Sequence, residues 1–133
     1  MANTLNVTLT LASTDVSSDN LSMTVTDSLS VIAPSGGLSK INATATGGDN
    51  IIVPASTAIA YLFVRHTGTT NGTTATAQLV DVEETGDAGF ARLGPLEFMF
   101  IPFSHNAGNV GVQLQVNHAS VVQMEYAFFT KSV

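Results

Sequence analysis

Hydrophobic and polar residues alternate along most of this chain, and the period is two. Residues 5–11 put Leu5, Val7, Leu9 and Leu11 on one side and Asn6, Thr8 and Thr10 on the other, the pattern of a half-buried strand. A polar loop, residues 13–20, follows. Leu21, Met23, Val25, Leu29 and Val31 then alternate with Ser22, Thr24, Thr26, Ser28 and Ser30. Two successive strands, joined as a hairpin with a long loop, are predicted. The hexads 5–10 and 21–26 look alike, but one similarity does not define a repeat architecture.

Pro34, Ser35, Gly36 and Gly37 break the second strand. A third is predicted over about residues 38–46, closed by the turn residues Gly47, Gly48, Asp49 and Asn50. The short apolar run 51–53 stops at Pro54. Strands follow over 57–66 and 74–83, separated by a Gly- and Thr-rich connection. Residues 90–93, a Gly94-Pro95 turn and residues 96–103 read as strand, turn, strand. Val110, Val112, Leu114 and Val116 alternate with Gly111, Gln113 and Gln115, and a last strand covers about 120–130. About eight strands with regular turn signals and no helix predict an all-β chain. The economical architecture is a two-sheet antiparallel sandwich, jelly-roll-like, with residues 1–133 as a single domain. An immunoglobulin-type strand order stays open, although its core tryptophan and cysteine pair are absent.

Composition agrees with that picture. Only 11% of residues are charged, while 17 Thr and 12 Ser supply polarity, as on the surface of a sheet. The net charge of −6 leaves four basic residues, Lys40, Arg65, Arg92 and Lys131. Spread along the chain, they assemble no phosphate-binding patch, so nucleic acid is not an expected partner. Cysteine is absent, which removes disulfides and thiolate metal sites. The first lysine is Lys40, so a secretory signal is not expected, and no apolar run is long enough to cross a membrane. Synthesis in a cytoplasm is the expectation.

Candidate chemistry is sparse. His66, His105 and His118 match no metal motif and read as structural or exposed residues. Ser104 and His105 are neighbours on a strand and face opposite sides, which is useless for a triad. The acidic stretch from Asp81 to Asp87 has the oxygen ligands calcium prefers, without EF-hand spacing, and reads first as a solvated loop tip. Four Asn-X-Ser/Thr triplets, at Asn6, Asn20, Asn42 and Asn71, are expected by chance in so Thr-rich a chain. No catalytic residue, cofactor or metal is expected, and the composition argues against an enzyme.

One segment carries more information. In residues 96–103, Leu96, Phe98 and Phe100 share one face, and Met99, Ile101 and Phe103 share the other. A strand apolar on both faces must be covered on both. The last strand repeats the theme with Tyr126 and Phe128 against Ala127 and Phe129. A two-sheet sandwich buries one face of each sheet, so a further subunit, or else a loop of the same chain, is expected over the other. Met99, Ile101, Phe103 and Phe129 are the candidate interface residues, and a homo-oligomer such as a trimer is expected.

The segments 46–54, 61–69, 92–103, 109–116 and 124–131, in that order, resemble the small β-rich virion structural proteins of tailed bacteriophages. The likeness spans roughly residues 38–131 and lies in pattern rather than in a diagnostic motif. It implies a jelly-roll-like capsid decoration or cement protein located in the virion, with the major capsid protein or other virion proteins as partners. It carries no catalytic residues. A tail adaptor, or a receptor- or carbohydrate-binding module, is the alternative, weakened by the absence of tryptophan platforms.

Overall fold

A computed structural model describes residues 2–16, 18–32, 38–46, 50–105 and 110–130. The expected turns at 33–37 and 47–49 lie outside these residues, as does Lys131. Ten strands run β1 (Ala2–Ser13), β2 (Leu21–Ile32), β3 (Ser39–Ala43), β4 (Ile51–Val53), β5 (Ile59–His66), β6 (Val80–Glu84), β7 (Gly89–Leu93), β8 (Phe98–His105), β9 (Val112–Val116) and β10 (Val122–Phe129). The all-β expectation holds, and among the described residues no helix is long and apolar enough to span a membrane.

Among the described residues the chain divides into two compact units, one within residues 2–32 and the other within residues 38–130. The first unit is the predicted hairpin. Twelve residues of β1 pair with twelve of β2 without a bulge, from Ala2 opposite Ile32 to Ser13 opposite Leu21. Because side chains alternate, this register puts Leu5 beside Leu29, Leu9 beside Val25 and Leu11 beside Met23 on one face. The other face is polar. There Asn6 accepts a hydrogen bond from the Ser28 hydroxyl at 3.0 Å, and Thr10 meets Thr24 at 3.4 Å.

The second unit is the sandwich. One sheet has the order β3-β10-β5-β8 and the other β4-β9-β6-β7. The pairings β3–β10, β4–β9, β5–β8 and β6–β7 are those of one long hairpin, folded at β6–β7 and wrapped into two sheets. That nesting defines a jelly roll. Leu62, Val64, Val122 and Met124 of the first sheet meet Ile52, Val80, Val82, Leu114 and Val116 of the second in a fully enclosed core.

Two expectations change here. The strand predicted over 74–83 begins only at Val80; before it, residues 68–76 fold back on themselves through the Thr69–Ala75 bridge and the Thr70–Thr74 and Thr76–Gly68 backbone bonds, with side chain–backbone bonds at the tip. Asn71 Oδ1 alone accepts hydrogen bonds from Thr73 N, Thr74 N and the Thr73 hydroxyl, at 2.9–3.1 Å. Met99, Ile101 and Phe103, expected to face outward, instead pack partly buried against the core. Phe103 also stacks on Phe90 of the facing sheet's edge strand, with ring centroids 5.2 Å apart. Both faces of this strand are apolar, so periodicity could not say which one turns inward.

The turn between β7 and β8 is strained. Glu97 N donates to Gly94 O at 3.1 Å, with Pro95 at the first central position. Leu96 at the second has φ of 68°, where a type II turn ordinarily uses glycine. Leu96 is also 65% exposed, so its side chain gains little burial in return. Leu96→Gly is expected to raise stability by about 0.5–1 kcal/mol, the left-handed penalty less the entropy of a freer unfolded chain. Thermal denaturation checks this, and a lowered midpoint would contradict it.

Candidate interaction surfaces

Of the histidines and acidic residues weighed for chemistry, His66 and Glu83 are buried in the fold. His66 is fully buried. Its Nδ1 accepts from Gly68 N at 2.9 Å, so Nε2 carries the proton and donates to Gln78 O at 2.9 Å. This makes it a structural histidine. His118 Nδ1 lies 3.4 Å from the Ser120 hydroxyl at an exposed position, and the side chains of Ser104 and His105 lie outside the described residues. The acidic stretch diverges. Asp81 accepts from Arg92 Nε and Nη2 along one guanidinium edge, and that hydrogen bonding, then its charge, holds Arg92 above its ordinary pKa. Glu83 is buried and accepts from Gln113 Nε2 at 2.7 Å, while Asp87 caps Ala88 N at 2.7 Å. Among the described residues no three His, Asp or Glu side chains converge on a metal position.

Gly111 shows how tightly the β4–β9 end is packed. A Cβ there would run into the Val53 carbonyl oxygen and lie 3.2 Å from Ala55 N, both backbone. Neither atom can rotate aside, so Gly111→Ala is expected to cost about 2 kcal/mol, within the range for overpacking. A shift in the urea midpoint measures it.

The two outer sheet faces differ. On the β4-β9-β6-β7 sheet, Asp81 lies opposite Arg92 and Gln115, and buried Glu83 opposite buried Gln113, a mainly polar face on which Ile51 and Phe90 are the exposed apolar residues. On the β3-β10-β5-β8 sheet, the rows read Phe129–Tyr61–Pro102, then Ala127–Phe63–Phe100, then Glu125–Arg65–Phe98. Tyr61 and Phe100 stack with centroids 5.9 Å apart and planes at 7°. Phe98 is 60% exposed and Pro102 is also exposed. Only the last row is charged. Lys40 and Arg65, two of the scattered basic residues, converge there on Glu125 at 3.8 and 3.5 Å.

Of the four candidate interface residues, then, the structure places Phe129 on this aromatic face and the other three toward the core. The outward members of β8 are Phe98, Phe100 and Pro102. Tyr61 and Phe63 were not singled out by sequence reasoning; their alternation with buried Leu62 and Val64 was the available signal. No protein-family model, curated protein or solved structure matches the chain, so its own geometry carries the functional reading.

Proposed function

We propose that this protein is a non-enzymatic structural subunit of a larger assembly, and specifically a capsid decoration or cement protein of a tailed phage. The observation that carries the assembly reading is the contrast between the outer faces of one sandwich, polar on one side and aromatic on the other. An isolated subunit would leave Phe98 and Pro102 exposed and Tyr61, Phe63, Phe100 and Phe129 half-buried on that face, and exposed apolar patches mark protein contacts. The buried His66, Glu83 and Asn50 are engaged in structural hydrogen bonds, which favours a scaffold over a catalyst. The capsid setting rests on the sequence resemblance. A decoration protein acts by bridging shell subunits, so that separating them also requires breaking its own contacts.

Co-expression with the major capsid protein of the same genome tests this. The protein should sediment with assembled shells at fixed stoichiometry and raise the temperature at which they open. Recovery wholly in the supernatant would overturn the capsid reading, and selective retention on a glycan array would favour the carbohydrate-binding alternative.

A further inference from the structure

We infer that the hairpin arm of one molecule lies with its apolar face on the aromatic sheet face of a second copy, the two copies exchanging arms reciprocally. The arm needs a partner: a lone two-stranded hairpin is marginal in water, yet Leu9, Leu11, Leu21, Met23 and Val25 all stand 40–51% exposed along one side of it. The aromatic face needs one as well. Charge selects between the ways of covering them. The two arm strands carry a single charged residue, Asp27, and it sits on the apolar face opposite Val7. Arm packed on arm by its midpoint would bring two Asp27 carboxylates together in a low-dielectric seam. Arm packed on sheet brings Asp27 toward the row where Lys40 and Arg65 outnumber Glu125.

Size points the same way. A strand pair is about 10 Å wide, and an eight-residue sandwich strand is about 26 Å long. One arm on one sheet therefore covers roughly 500 Å² counting both sides, too little for a specific contact. Reciprocal exchange about a two-fold axis doubles this to roughly 1,000 Å², the threshold for a stable interface. This inference rests on the assembly reading only in that both concern the same surplus apolar surface. Shell binding and arm exchange can fail separately.

Because the chain has no cysteine, single replacements report contacts cleanly. Val25→Cys and Phe100→Cys proteins, one carrying a size tag, are mixed and oxidised. A disulfide-linked heterodimer is expected in the mixture, at least tenfold above the level with Thr24→Cys, which faces the polar side of the arm. Pro102→Cys serves in place of Phe100→Cys if the latter loses the sandwich's circular dichroism signal. Self-linking of Val25→Cys at equal yield would show arm meeting arm and overturn the exchange. So would closure within a Val25→Cys/Phe100→Cys double variant without any mixed dimer. A wild-type protein that sediments as a monomer at high concentration would overturn it directly.

Discussion

Asn50→Asp is expected to lower stability by about 3–5 kcal/mol, the cost of leaving a buried charge among unsuitable partners. Asn50 is 2% exposed at the entrance to β4. Its Nδ2 donates to the carbonyls of Thr44, Thr46 and Leu114 at 3.0, 2.9 and 2.9 Å, and its Oδ1 accepts from Thr44 N at 3.1 Å. The backbone joins in, since Leu114 N donates to Asn50 O at 3.1 Å. One amide thus fastens the end of β3 to β9, across both sheets of the roll. Aspartate is nearly isosteric but has no N–H to give, so its carboxylate would face carbonyl oxygens already stripped of water. At about 4–8 °C per kcal/mol for a unit of this size, the melting midpoint should fall by at least about 12 °C. A drop under about 3 °C would mean that the amide network contributes little.

That role was hidden in the sequence for a physical reason. Asn50 closes a Gly-Gly-Asp-Asn run, which reads as turn chemistry, and the partner that gives it a structural purpose, Leu114, is 64 residues away. The hairpin was legible because one partner of every pair alternates in plain view and the loop is polar. The roll was legible as a class, since strand count and turns imply a sandwich. Its nesting was not, because pairings such as Met124 with Ile41 depend on the whole set of strands finding mutual burial. His66 read as structural from the lack of any companion motif, and its two backbone partners supply the reason. Around β8 the sequence showed both faces apolar but left their sense undetermined. Leu62 and Val64 of the neighbouring strand decide it, by filling the core side of the sheet.

The sense of β8 and β10 yields the sharpest pair of substitutions. Phe103 packs against the core and stacks on Phe90, joining the open edges of the two sheets. Removing its ring leaves a cavity between them, and Phe103→Ala is expected to cost about 3 kcal/mol, the lower end for phenylalanine because the site is only partly buried. Phe129 lies across the ladder from Tyr61 on the outer face, where no second sheet covers it. Phe129→Ala should change the monomer's melting midpoint by less than about 4 °C, equivalent to at most about 0.5–1 kcal/mol for a unit of this size. Association should weaken at least tenfold, because an aromatic anchor is lost from the contact face. Sedimentation equilibrium and thermal denaturation on the two variants separate the effects. The expected result is a crossover, with one variant unstable yet still self-associating when folded, and the other stable yet dissociated. If Phe129→Ala is as destabilised as Phe103→Ala and associates normally, the outer face is not a contact surface, and the aromatic rows must be stabilising the sheet through their own stacking.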